Sequence, residues 1–142
     1  MKALLVGDIH IDNAKSTIAN SDSFTEVLSL FNFIKETAKI KKPDYIIFFG
    51  DIFNSPYSIT SVVISLISKI IGELSTYAPL IFIVGNHDDV DNRVSNVDIG
   101  GGVKVGIRSS LLSPYKNFPN VLVFDSPSVV KIDNGREIAF VP

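Results

Sequence analysis

Five apolar residues followed by a glycine and an acid occur at Tyr45-Ile46-Ile47-Phe48-Phe49-Gly50-Asp51. Two further apolar runs also end in a glycine and a polar residue: Ala3 to Val6 precedes Gly7-Asp8, and Leu80 to Val84 precedes Gly85-Asn86. None of the three alternates polar with apolar residues, which is typical of strands that are buried on both faces of a sheet. Each run is therefore predicted to be a strand of a sheet with a helix layer on its faces.

The two segments between these runs have the three-and-four spacing of an amphipathic helix. The first helix is predicted to start with a capping box, Ser23 with Glu26, and to stop before Pro43. The second is predicted from residue 58 to Leu74. Strand, helix, strand, helix, strand at this spacing predicts βαβ units, that is, an α/β fold with a parallel or mixed sheet flanked by helices.

The second half of the chain has more β character. Gly100-Gly101-Gly102 is interpreted as a hinge, because it lacks the strand-to-helix context of a phosphate loop. Asp133-Asn134-Gly135 is a strong hairpin turn signal between the last two predicted strands. Four strands are predicted here: Val103–Ile107, Val121–Phe124, Val129–Ile132 and Glu137–Val141.

Length and composition limit what the protein can be. The chain has 142 residues, 46% hydrophobic residues and a net charge of −2, which fits one globular domain over residues 1–142 without a protein-wide positive field. It has no Cys, so thiol nucleophiles and thiolate metal sites are excluded. No apolar stretch approaches the ~18 residues that cross a bilayer. The chain is therefore predicted to be soluble and, by default, intracellular.

Polar side chains follow each of the three apolar strands. Asp8 and His10 follow the first strand, Asp51 the second, and Asn86 and His87 the third. Ligands of open α/β sheets bind outside the carboxyl ends of the strands, so these residues are expected to converge on one site. Carboxylate, amide and imidazole donors together suit Mn²⁺, Fe or Zn²⁺ better than Ca²⁺.

The spacing suggests a two-metal site. Asp8 and His10 lie two residues apart, so on an extended segment they point the same way and can hold one ion. Asp51 has two carboxylate oxygens and could bridge two ions ~3.5–4 Å apart. Asn86 offers a neutral oxygen, and His87 could act on a phosphate as an acid or a hydrogen-bond donor.

The first three motifs of the calcineurin-like metallophosphoesterase superfamily resemble Gly7-Asp8-Ile9-His10, Gly50-Asp51 and Gly85-Asn86-His87-Asp88 in order and spacing. Within that superfamily, Asp22-Ser23-Phe24, Gly50-Asp51-Ile52-Phe53 and the segment from Ile138 to Pro142 are similar to the SbcD-type nuclease subunit of DNA break repair and phage recombination.

The resemblance implies half of a two-sheet sandwich and hydrolysis of DNA phosphodiesters, as an exonuclease or an endonuclease. It implies that Asp8, His10 and Asp51 hold one divalent metal and that Asp51 and Asn86 hold a second. Mn²⁺ is the first choice, with Fe or Zn²⁺ as alternatives. His87 would contact the scissile phosphate, and Asp88 would orient His87. The implied partners are DNA, an SbcC-type coiled-coil ATPase subunit and a second copy in a homodimer, with no membrane. The implied location is the cytoplasm of a bacterium or an infected host cell.

The chain departs from this family pattern in its histidines. His10 and His87 are its only two, whereas the family needs further histidines in later motifs. The second metal would then be poorly held. The chain is therefore predicted to be truncated at its C-terminal end and to have little nuclease activity.

Three other functions are left open. A metallophosphatase for another substrate class would share the metal motifs. A non-catalytic module would keep the metal residues but serve for dimerisation or for docking an ATPase partner. A signalling receiver domain would use Asp51 as its phosphoacceptor, although Asp8-x-His10 does not fit that fold. Asn54 is interpreted as a turn or cap residue, and Asp89 and Asp91 as solvated acids. Scattered cations could line a DNA path or be ordinary surface: Lys15, Arg93, Lys104, Arg108 and Lys116.

Overall fold

The computed structural model describes residues 1–12, 22–55, 57, 59–89, 95–98, 104–107, 110–131 and 137–142. Two α-helices and one 3₁₀ turn occur in the described residues: α1 (Asp22–Lys41), α2 (Ser61–Leu74) and the turn Ser113–Asn117. The strands are β1 (Ala3–Val6), β2 (Tyr45–Phe49), β3 (Leu80–Ile83), β4 (Ser95–Asp98), β5 (Lys104–Ile107), β6 (Val121–Phe124), β7 (Ser128–Lys131) and β8 (Glu137–Phe140).

Four of these strands form a parallel sheet in the order β1-β2-β3-β6. The register aligns Leu5 with Ile47, Ile47 with Ile81, and Ile81 with Leu122. α1 connects β1 to β2 and α2 connects β2 to β3, which provides the crossovers that parallel pairing requires. The predicted α/β fold with a helix-flanked parallel sheet is confirmed.

Both helices pack against the same face of this sheet. α2 buries five apolar side chains, namely Val63, Ile67, Ile70, Ile71 and Leu74. They belong to one core cluster with the α1 residues Phe31, Ile34 and Ala38 and with strand residues such as Phe48 and Phe82, whose rings stack with centroids 4.6 Å apart. Burying each such side chain contributes roughly 1.5–3 kcal/mol to the free energy of unfolding.

The helix starts differ slightly from those predicted. α1 begins at Asp22, so Ser23 lies inside the first turn and the predicted capping box is wrong. α2 begins at Ser61, and its N-cap is Thr60, whose hydroxyl accepts a hydrogen bond from the Val63 N–H at 3.4 Å. Thr60 has extended backbone, which is the usual conformation of a capping residue.

The opposite face of the sheet is only partly covered. β7 and β8 pair antiparallel, and Phe140 of β8 packs against Ile47, Ile81 and Ile83. β3 is buried on both faces as predicted, but Leu5 of β1 is 59% exposed and that prediction is wrong for β1. An edge strand has neighbours on one side only, and the two-stranded β7–β8 unit is too narrow to cover every strand of the sheet.

The less regular part of the chain contains two elements that the sequence did not predict, β4 and the 3₁₀ turn Ser113–Asn117. β4 pairs antiparallel with β5, which begins at Lys104. β4 reads Ser95-Asn96-Val97-Asp98 and carries a single apolar residue, so it has no strand pattern of its own. The predicted hinge at Gly100-Gly101-Gly102 and the predicted turn at Asp133-Asn134-Gly135 lie outside the described residues.

Candidate metal centre

Three of the predicted ligands gather at the carboxyl edge of the sheet. Asp8, His10 and Asp51 each offer one ligand atom, and these atoms all lie within 4.8 Å of one another. Asp8 and His10 are exposed and Asp51 is half-buried. With metal bonds of ~2.0–2.2 Å, two ligands on opposite sides of one ion lie ~4.2 Å apart. Small side-chain adjustments would therefore let all three residues hold one cation.

The backbone that carries these ligands is unusual. Asp8, His10 and Asp51 have φ values of 46°, 49° and 48°, in the left-handed region that non-glycine residues seldom adopt. The extended segment predicted for Asp8 and His10 is therefore wrong, although their side chains do come together. Left-handed turns, rather than the alternation of a strand, bring them to the same side. Backbone strain of this kind clusters at functional sites.

Hydrogen bonds between the loops after β1 and β2 hold this backbone in place. The His10 N–H donates to the Asp51 carbonyl at 2.9 Å, and the Ile11 N–H donates to the Ile52 carbonyl at 2.8 Å. Ile11 and Phe53 form a parallel bridge beyond the strand ends, and both side chains are buried. The polar ligands are thus anchored by apolar neighbours in the core.

Two glycines bring the loops after β2 and β3 into contact. Gly50 has a φ of 77°, and a Cβ there would lie 2.9 Å from the Gly85 Cα. A Cβ on Gly85 would lie 2.2 Å from Oδ1 of Asp51. The Asp51 carboxylate therefore occupies the space that a side chain at residue 85 would need.

His87 lies beside these ligands with its tautomer fixed by a hydrogen bond. Its backbone N–H donates to Oδ1 of Asp51 at 3.0 Å, and its ring meets the His10 ring edge-on with centroids 5.2 Å apart. Nδ1 of His87 lies 2.6 Å from the Asn54 carbonyl oxygen. Since a carbonyl can only accept, Nδ1 carries the hydrogen and Nε2 is left for other partners.

Asn54 is the functional residue that the sequence interpretation missed, because it acts through its backbone oxygen. A role of the backbone oxygen leaves no side-chain pattern in the sequence by which it could be predicted. The resemblance implied that Asp88 orients His87; among the described residues their side chains share no hydrogen bond, and the role itself stays a prediction. Both Asp88 oxygens accept backbone hydrogen bonds instead, from the Phe53 N–H at 2.9 Å and the Gly85 N–H at 3.1 Å. Asp88 is fully buried, and this burial raises the pKa of its carboxyl.

The remaining predicted residues lie around this centre. Asn86 is exposed and lines a cavity of about 300 Å³ together with Asp89 and Asp125. Its role as a ligand stays a prediction. Asp89 is half-buried, and its backbone bridges Ser110. Its interpretation as a solvated acid stays a prediction.

The basic residues give little support to a DNA path in the described part of the chain. Lys116 pairs with Asp125 at 2.5 Å. Lys15, Asp91, Arg93 and Arg108 lie outside the described residues, as does the side chain of Lys104.

Comparison with known proteins agrees with this geometry. The family model of the calcineurin-like phosphoesterases matches residues 1–141. A search of curated proteins gives no match. Neither helix in the described part of the chain has the length and apolar character needed to cross a membrane.

Proposed function

Because the chain belongs to the calcineurin-like phosphoesterase family, we propose that it hydrolyses phosphodiester bonds of DNA. The observation that carries the proposal is the convergence of Asp8, His10 and Asp51 within 4.8 Å at the carboxyl edge of the sheet. The similarity of Gly50-Asp51-Ile52-Phe53 to SbcD-type subunits favours a nuclease of repair or recombination.

The side chains at this edge can divide the work of hydrolysis. The Asp8 and Asp51 carboxylates and the His10 imidazole would hold a divalent cation, with Mn²⁺ our first choice, and Asn86 would add a neutral oxygen for a second ion. A bound divalent cation supplies water activation and charge neutralisation at the phosphate. The hydrogen bond to Asn54 keeps Nδ1 of His87 occupied, so Nε2 is the atom that exchanges a proton or a hydrogen bond with the phosphate.

An accessible site favours a polymeric substrate over a small enclosed one. Asp8, His10 and Asn86 are all exposed, so a duplex or single strand could reach the ligands without a lid opening. A net charge of −2 gives no long-range attraction to DNA. Affinity would then have to come from the metal centre, from local cations or from partners, for which we propose an SbcC-type ATPase subunit and a second copy of the chain, in the cytoplasm.

The test compares substrates and variants with Mn²⁺ present. Both histidines of the chain already lie in this site, so we expect a weak second ion and slow turnover. A DNA oligonucleotide and bis-p-nitrophenyl phosphate should be cleaved faster than p-nitrophenyl phosphate. Asp51→Asn keeps an oxygen for the His87 N–H but removes the charge, so its diesterase activity should fall to background.

The matched control is Asp44→Asn, because Asp44 is an exposed acid next to the opposite end of β2. It should retain the turnover of the unmodified protein. Faster cleavage of the monoester would favour a phosphatase instead. Equal activity of Asp51→Asn and the unmodified protein would refute the proposed site.

A further inference from the structure

Asp88 is the one acid among the fully buried side chains of the described residues, with 0% exposure. Burying a carboxylate is costly unless its oxygens are hydrogen-bonded. Both Asp88 oxygens are bonded, and both donors are backbone N–H groups rather than a cation. The negative charge of Asp51 acts against it as well. A side chain that carries these costs in the core is expected to do more than fill space.

The two donors belong to two different loops of the site. Phe53 lies two residues after Asp51 in the loop that follows β2. Gly85 lies two residues before His87 in the loop that follows β3. One carboxylate therefore spans the gap between the loop that carries a metal ligand and the loop that carries the phosphate-facing histidine.

Asp88 also fixes a third segment through its backbone. Its carbonyl accepts a hydrogen bond from the Leu111 N–H at 2.9 Å, and the next residue, Leu112, is fully buried. The loops are thereby tied to the core as well as to each other. Asp is matched to this position: Asn has one acceptor oxygen for two N–H donors, and Glu is longer by one methylene.

We propose that Asp88 is a positioning residue that sets the separation of the loops after β2 and β3, and so places Asp51 for metal binding and His87 for the phosphate. It contacts neither metal nor substrate. The inference rests on the proposed function, because positioning has a purpose only where Asp51 binds a cation.

The first test measures Mn²⁺ affinity by calorimetry in Asp88→Asn. The substituted amide places a donor against one N–H, so we expect the loops to separate and the dissociation constant for Mn²⁺ to rise about tenfold or more. The control is Tyr115→Phe, which also removes a hydrogen bond of a buried side chain, the partly buried one to Ser68, far from the ligands in sequence. If Asp88 had only a structural role, Asp88→Asn would behave like Tyr115→Phe: the melting temperature would fall and the Mn²⁺ affinity would not change. That result would overturn the proposal.

The second test uses the unmodified, metal-free protein and stands even if Asp88→Asn does not fold. Amide hydrogen exchange should be slow at Phe53 and Gly85, comparable to that of the Ile11 amide, which is bonded to Ile52. If the amide of Phe53 or Gly85 exchanged as fast as a free loop amide, its hydrogen bond to Asp88 would be refuted, and with it the link between the two loops.

These measurements separate the two levels of inference. If the unmodified protein binds no Mn²⁺, the proposed function fails, and amide exchange alone decides whether Asp88 links the loops. If the unmodified protein binds Mn²⁺ and Asp88→Asn binds it equally well, the positioning role fails while the metal site stands.

Discussion

Gly85 has no side chain at the one place where Asp51 needs room. A Cβ at residue 85 would meet Oδ1 of Asp51 at 2.2 Å and its backbone nitrogen at 2.4 Å. Separations this short cannot be absorbed by rotating a flexible side chain, because one of the two atoms is backbone. The position of the Asp51 carboxylate thus depends on a residue that makes no polar contact with it.

Gly85→Ala should therefore damage the metal centre and the fold together. We expect the free energy of unfolding to fall by ~1–3 kcal/mol, the usual range for an overpacked site. Mn²⁺ affinity should fall in parallel, because Asp51 must move. Urea unfolding and calorimetric Mn²⁺ titration measure the two effects.

Gly7→Ala is the control, since Gly7 directly precedes Asp8 yet a Cβ there would meet nothing within 4 Å. It should leave both quantities near those of the unmodified protein. An unchanged Mn²⁺ affinity in Gly85→Ala would contradict the close approach of the two loops.

At the scale of an element, a partly buried hydrogen bond between Tyr115 and Ser68 links the short 3₁₀ turn Ser113–Asn117 to α2. Ser68 donates to the Ile64 carbonyl at 2.7 Å, so at its contact with Tyr115, 3.1 Å long, the Tyr115 hydroxyl is the donor. Tyr115 is almost fully buried, and this burial raises the pKa of its hydroxyl. The folded protein therefore keeps the Tyr115 proton at a pH where the unfolded chain has lost it.

The sign of the resulting pH dependence follows from proton linkage. Above about pH 10, the ordinary pKa of tyrosine, the folded state binds more protons than the unfolded state, so the Tyr115 contribution to stability is lost as the pH rises through its folded pKa. Tyr115→Phe should lower the free energy of unfolding by ~0.5–1.5 kcal/mol at neutral pH. It should also show a shallower loss of stability above pH 10 in denaturant titrations. Parallel alkaline slopes for the two proteins would contradict this account.

The elements also show how far the sequence could predict the fold. The sequence predicted four strands at or within one residue of their observed ends: β1, β2, β3 and β6. Each is a short, unbroken apolar run, and such runs are typical of buried strands. β4 was missed because its pairing with β5 comes from a partner strand and not from its own four residues. The position of a sheet strand in this chain therefore follows from its own residues, whereas the β4–β5 pair depends on contacts between two segments.

The candidate site was predictable to a similar extent. The positions of Asp8, His10 and Asp51 followed from strand ends, which the apolar pattern reveals. The hydrogen bond from His87 to Asn54 and those from Phe53 and Gly85 to Asp88 involve backbone atoms, which every residue type carries. Sequence patterns therefore locate the ligands but leave their supporting contacts undetermined.

At the scale of the whole molecule, metal binding should appear as stability. Hydrogen bonds between protein groups join the loops after β1 and β2, so we expect the fold not to depend on the metal. Mn²⁺ at a hundredfold excess over its dissociation constant should add ~2.7 kcal/mol to the free energy of unfolding, which raises the melting temperature by roughly 5–10 °C.

Asp8→Asn should lose this increase and Asp44→Asn should keep it, as measured by calorimetric melting with Mn²⁺ and with a chelator. A melting temperature that does not respond to millimolar Mn²⁺ in the unmodified protein would contradict the metal site.

The left-handed backbone at Asp8, His10 and Asp51 has a consequence for anyone who wishes to build this centre elsewhere. Aspartate and histidine tolerate that torsion better than most residues, so the same three positions satisfy a chemical and a conformational requirement at once. Grafting the three side chains onto loops of ordinary backbone would carry over the donor atoms but not the directions in which the left-handed turns hold them. A successful transplant would have to copy the paired loops and their glycines first, and the ligands second.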